Sequence, residues 1–178
     1  MPDLGLAWLL DKSVVRRAAE GISASLAAAP LTVEQSLALR LLRRGAQTSA
    51  LVLITPETAN ILLHRAQLLA VRLLLNDVTP IRRGRYFSRW ARRLRESGFT
   101  REDALVLSYG TFGLSSNGLI LGVSAVVTFD RPMIHNFEAQ QAKVFRRLTA
   151  MAAQLPSPYS DAALPRVLTP DDLLATKR

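Results

Sequence analysis

The 178-residue chain contains no cysteine. That excludes a disulfide framework, a thiolate metal site and a cysteine nucleophile, and it agrees with a reducing compartment without requiring one. Histidine is nearly absent as well. His64 and His135 stand far apart, neither in a metal-spaced motif nor beside the partners of a catalytic triad. Aromatic residues amount to 6%, and Trp8 and Trp90 read as core residues rather than base-stacking platforms. The nine glycines are scattered and form no phosphate-cradling loop. Long apolar runs are missing: the greasiest stretch, Ile61 to Leu75, is interrupted by His64, Arg65 and Arg72, whereas a spanning helix needs about 20 apolar residues. The opening Met1-Pro2-Asp3 carries an acid where a signal peptide has Lys or Arg, and the first apolar run stops at Asp11. The expectation is a soluble, cytoplasmic protein with no membrane partner. Acid is scarce too, with 14 Asp and Glu against 23 Lys and Arg, a net charge of +9. Such an excess points to a polyanion, nucleic acid first.

What is present is the composition of a folded domain, 49% hydrophobic and 21% charged, and the length suffices for one buried core. Residues 1–178 read as a single domain without repeats or low-complexity linkers. The runs Gly5 to Leu10, Leu51 to Ile54 and Gly122 to Phe129 lack polar alternation, as strands buried on both faces of a parallel sheet do. Arg166 to Leu168 is a weaker candidate, and Asp77 to Ile81 is weakened by Pro80. Helical patterns fill the intervals. The first covers Ser13 to Ala28. The second runs from the N-cap Thr32, with Gln35 three residues on, to Arg44 with Gly45 as its terminating glycine. Thr55-Pro56-Glu57 opens a helix reaching about Leu75. Others span Arg85 to Ser97, Thr100 to about Gly110 and Phe137 to Gln154, and a short one starts at Thr169. Tyr109 to Asn117 reads as a loop. The alternation predicts an α/β fold: three layers, α/β/α, around a central, mostly parallel sheet of four or five strands.

In such a sheet ligands bind outside the carboxyl ends of the strands. Asp11 follows the first apolar run directly and Asp130 follows the third. Asp103 lies at a helix start, which in this fold faces the same edge. Like charges held close repel and raise one another's pKa, so a cluster of them is usually joined by a cation. Hard oxygen ligands favour Mg²⁺ or Mn²⁺. Singly, each acid also reads as a turn or helix cap: Asp103 stands three residues after Thr100, and Asp130-Arg131-Pro132 is a turn-like triplet. Their joint position at one edge is what points to a metal site.

Leu10-Asp11-Lys12-Ser13-Val14-Val15 resembles the opening strand motif of PIN domains, an aspartate with Ser or Asn just beyond it. Glu102-Asp103-Ala104-Leu105 resembles their acidic helix start. Val126-Val127-Thr128-Phe129-Asp130-Arg131 resembles their fourth strand, and Val167-Leu168-Thr169-Pro170-Asp171-Asp172 their last strand and capped helix. The order matches along essentially the whole chain. The resemblance implies a metal-dependent ribonuclease in which carboxylates hold one or two Mg²⁺ or Mn²⁺ ions. Asp11, Asp103 and Asp130 would be the catalytic and metal-holding acids, with Ser13 and Thr128 supporting them. The family's usual helix glutamate falls on Ile61 here, which cannot ligate a metal. Glu57, one helical turn earlier, either substitutes for it or only complements the helix dipole. Lys12 is also unusual in the motif, either supplying positive charge or pointing away. The resemblance leaves room for a homodimer and for an antitoxin-type protein partner, which nothing in the sequence itself indicates.

Between Arg82 and Arg101 lie eight arginines and one acid, Glu96. This 82–101 segment accounts for +7 of the +9. Phe87, Trp90, Ala91 and Leu94 form a core-facing stripe, which turns Arg85, Arg89, Arg92 and Arg93 mainly to the other face. Arginine suits bidentate phosphate contact, so these four are the expected RNA-binding residues. Two other readings use the same chain: a PIN-like RNA-binding or protein-interaction module that has lost catalysis, and a helix-turn-helix DNA-binding regulator. Against the latter, the second helix would begin Glu102-Asp103, which repels phosphate.

Overall fold

Ala7–Leu10 forms β1 at the centre of a five-stranded parallel sheet in the computed structural model, which describes residues 6–176. Gly5, expected to begin this strand, lies outside the described residues. Leu51–Ile54 (β2) and Ala125–Val127 (β7) flank β1, in register Leu10↔Ile54 and Leu10↔Val127. Thr79–Pro80 (β3) and Arg166–Leu168 (β8) complete the order β3-β2-β1-β7-β8. Pro80 is tolerated because β3 is an edge strand. All pairings are parallel, so every carboxyl end lies on one edge.

Alternate strand residues feed two separate cores, the physical content of the three-layer fold. Trp8, Leu10, Val52, Ile54, Ala125 and Val127 pack with helices α1 (Lys12–Leu26), α2 (Val33–Thr48), α3 (Pro56–His64), α4 (Leu69–Asp77) and α8 (Pro170–Ala175). Leu9, Leu53, Val126 and Val167 pack with α5 (Phe87–Arg95), α6 (Arg101–Thr111) and α7 (Arg131–Ala152). Phe87, Trp90, Ala91 and Leu94 are all buried, as the stripe requires.

Several boundaries depart from expectation. The helix expected to run to Leu75 is two helices, broken between His64 and Leu69. The N–H groups of Arg65, Ala66 and Leu68 turn back to carbonyls three residues earlier, and this bend lets both Leu62 and Val71 reach the core beside α1. Gly45 does not end α2, which runs to Thr48 and stops at Ser49 in a left-handed conformation. Gly45 is instead a close-approach residue: a Cβ there would stand 2.8 Å from Val52 Cγ2. Helix α5 starts at Phe87 rather than Arg85, and α7 starts at Arg131 rather than Phe137 because Asp130 caps it. Tyr109 to Asn117 is not a loop. It ends α6 and enters β5 (Gly113–Ser115), which pairs antiparallel with β6 (Gly118–Ile120) and with β4 (Arg82–Arg83) in a second, three-stranded sheet. Among the described residues no helix is long and apolar enough to cross a membrane.

Candidate functional site

Asp11 leaves the end of β1 and becomes the N-cap of α1, and its backbone N–H donates to the Val127 carbonyl at 2.9 Å. The side chain is 7% exposed. Its Oδ2 accepts from Ser13 Oγ at 2.8 Å, Thr128 Oγ1 at 3.0 Å and the Ser13 N–H at 3.3 Å. Among the described residues no hydrogen bond reaches its Oδ1. Ser13 Oγ in turn accepts from the Phe129 N–H at 3.1 Å, and Thr128 Oγ1 from the Asp130 N–H at 2.9 Å. The ends of β1 and β7 are thereby locked together around one carboxylate. Charge-assisted bonds of this kind fix its orientation. Asp11, Ser13 and Thr128 are therefore brought together at the ends of β1 and β7.

The other acids are more dispersed. Asp130 is exposed, and its Oδ1 accepts from the Met133 N–H at 3.1 Å as the cap of α7. Asp103 is half-buried at the start of α6, where its N–H donates to Thr100 Oγ1 at 3.1 Å. Burial raises the Asp103 carboxyl above its usual value; a Thr100 hydrogen bond opposes this, and the negative charges of Asp130, Asp11 and Glu102 add to it. Asp103 thus senses the charges of the other two predicted acids across the carboxyl edge. Among the described residues, no three acidic or histidine side chains gather closely enough to hold one ion together. The donors present are hard oxygens, which suit Mg²⁺ or Mn²⁺ in kind, and Mg²⁺ commonly takes only one or two carboxylates with water completing its shell. No more than two of Asp11, Asp103 and Asp130 could therefore hold it together, with water completing the shell.

Asp11 opens into a cleft of about 210 Å³ between α3 and α6. Glu57, Thr58 and Ile61 line the α3 wall, and Glu102, Leu105, Val106 and Tyr109 line the other. Glu57 is exposed and accepts from the Tyr109 hydroxyl at 3.3 Å, while Arg83 Nε donates to that same hydroxyl at 3.4 Å. Ile61, on the same wall, is 54% exposed. Lys12 does not point away: its ammonium pairs with Glu102 on the cleft wall. That hydrogen bond raises the Lys12 pKa first; the charges of Glu102, Asp11 and Asp130 add to the rise and desolvation opposes it. Lys12 is therefore a positive charge seated among the carboxylates.

Sequence reasoning missed Tyr109, Glu102 and the link from Arg83. The signal was available, since Glu102, Leu105 and Tyr109 share one helix face at i, i+3 and i+7. It pointed to a face without saying what that face meets.

The basic segment flanks this region through β4 and α5. Arg85, just ahead of α5, is exposed and sits over the Tyr86 ring at 5.4 Å. Arg92 is exposed, 3.9 Å from Glu96. Arg89 and Arg93 are only half-exposed: Arg89 Nη2 reaches Gln154 Oε1 at 3.4 Å, and Arg93 Nε is buried without a partner. The expected four-arginine outer face therefore has two open members and two partly covered ones, because α7 packs beside α5.

Comparison with protein-family models, with curated proteins and with solved structures gave no match. The class defined by the coordinates is a three-layer α/β domain with a carboxylate cleft at the carboxyl edge of a parallel sheet.

Proposed function

We propose that this chain is a PIN-like, Mg²⁺- or Mn²⁺-dependent ribonuclease that holds RNA on its arginine segment and hydrolyses phosphodiester bonds at the carboxylate edge. The observation that carries this reading is Asp11. A buried carboxylate is costly, yet this one stands at the end of the central strand on the wall of the cleft, with Oδ2 bound three times and Oδ1 without a hydrogen bond among the described residues. Ser13 and Thr128 are its positioning residues. Asp103 and Asp130 add negative charge at the same edge, where a cation would be drawn. A divalent ion held there supplies Lewis-acid stabilisation of the phosphoryl group and an activated water. Arg85 and Arg92 offer open guanidinium groups for the RNA backbone.

A second reading, a PIN-like RNA-binding or protein-interaction module without catalysis, is favoured by Ile61 in place of the glutamate and by Lys12 among the acids. The DNA-regulator reading is not carried further, because Ala104 and Val106 to Thr111 are buried and leave α6 no free face for a major groove. Wild-type protein with Mn²⁺ should cleave single-stranded RNA, and Asp11→Asn and Asp130→Asn should each abolish cleavage while RNA retention persists. Absence of cleavage together with a melting temperature indifferent to Mn²⁺ overturns the enzyme reading in favour of the binding module.

A further inference from the structure

Half of the large hydrophobic side chains exposed among the described residues fall within thirteen positions. Ile61, Leu63, Leu68, Leu69 and Leu73 are 54%, 59%, 52%, 49% and 41% exposed. They lie on α3, α4 and the bend between them, the segment whose break the sequence pattern did not foretell. Exposed apolar side chains concentrated in one segment mark candidate interaction sites. Beside it runs a groove of about 390 Å³ between α1 and α3, floored by Val15, Leu62 and Val71.

Cations outnumber acids around this face: Lys12, Arg16 and Arg65 line the groove against one acid, Glu20. Between Glu57 and Asp77 the sequence contains no acid. Arg65 and Arg72 are exposed and make no ion pair among the described residues. Arg16, on the groove wall, meets only Glu20, at 3.9 Å, and Glu20 is already held by Arg17 at 2.8 Å.

We propose that the α1/α3/α4 face docks an acidic amphipathic helix of another protein, with its apolar stripe laid across the groove and the exposed leucines beside it and its Asp and Glu residues against Arg16, Arg65 and Arg72. Helix-in-groove recognition uses this pairing of an apolar stripe with flanking charges. A second copy of this chain is a poor occupant, since a two-fold pairing would set Arg65 and Arg72 against a face carrying the same cations. RNA would satisfy the arginines and leave the aliphatic side chains wet. The groove adjoins the Asp11 cleft and shares Lys12, Thr58 and Ile61 with it, but docking there does not require cleavage at the carboxylate edge.

The test titrates the full chain against a fluorescein-labelled helical peptide with Leu at i, i+3, i+4 and i+7 and Glu flanking that stripe. A second peptide replaces every Glu with Lys. The Glu peptide should bind at least about tenfold more tightly than the Lys peptide, and the double substitution Arg65→Glu, Arg72→Glu should reverse that preference. Leu68→Asp with Leu69→Asp should weaken the Glu peptide by about tenfold or more with the melting temperature unchanged, because both side chains are exposed. Equal binding of the two peptides, or binding of neither, overturns the proposal. So does binding confined to anionic phosphatidylserine vesicles, which would assign the face to lipid. A dimer in sedimentation that Leu69→Asp disperses would assign it to a second copy and overturns the proposal likewise.

Discussion

Thr128→Val replaces a fully buried hydroxyl with a methyl of nearly the same shape, and so tests the lock around Asp11 directly. Thr128 is 0% exposed, donates to Asp11 Oδ2 at 3.0 Å and accepts from the Asp130 N–H at 2.9 Å. A hydrogen bond to a charged group is worth about 1.5–3 kcal/mol, and a neutral backbone bond near the surface about 0.5–1.5 kcal/mol. The expected loss is therefore about 2–4.5 kcal/mol, a fall of about 9 °C in Tm at the middle of that range for a chain of this length. Urea unfolding followed by far-UV circular dichroism measures it. Thr128→Ser is the control: it keeps the hydroxyl and loses one methyl, about 1 kcal/mol. If the valine variant loses no more than the serine variant, the hydroxyl does not hold Asp11, and the strand-end lock is refuted.

Two further outcomes follow from the charges. Burial above all, joined by the charges of Asp130, Asp11 and Glu102 and opposed by Thr100, holds the Asp103 carboxyl above its usual 3.8. The folded chain therefore binds that proton more tightly than the unfolded chain does, and the stability it contributes is full below pH 3.8 and lost as pH rises through the raised folded value. In metal-free buffer, Asp103→Asn should gain Tm relative to wild type as pH climbs from about 4 to about 7, and a constant difference would contradict the shift. The combined variant Arg85→Ala, Arg92→Ala should weaken binding to single-stranded RNA and flatten its log–log salt dependence by about 1.4, since each phosphate contact contributes about 0.7; an unchanged slope would remove both arginines from the interface.

Asp11, Ser13 and Thr128 could be read from the chain because their placement is local. Each follows the end of its strand, Leu10 or Val127, within three residues, and the common edge comes with parallel pairing. Four helix starts were equally plain: Thr32, Thr55, Thr100 and Thr169 each accept from a backbone N–H three residues on, an interaction that needs no distant partner. The strands themselves declared their burial, since residues that face a core on both sides leave no polar alternation. The charge of the 82–101 segment was also plain from composition, but the exposure of its arginines was not. Arg89 and Arg93 are half-covered because α7, some fifty residues later, lies beside α5.

The rest depended on contacts between distant residues. Lys12 and Glu102 are separated by 90 positions, and Glu57 and Tyr109 by 52. No periodicity reports such pairings, because it records which face a residue occupies and not what that face meets. The break between α3 and α4 has no glycine or proline to announce it; it exists because Leu62 and Val71 must both reach the core beside α1. The second sheet likewise forms only when β4 is brought against β5, thirty residues on. Local hydrogen bonding and burial patterning act within a few residues and so are written along the chain. The cleft, the Lys12 bridge and the exposed leucines are made by packing whole elements together, which only the tertiary structure decides.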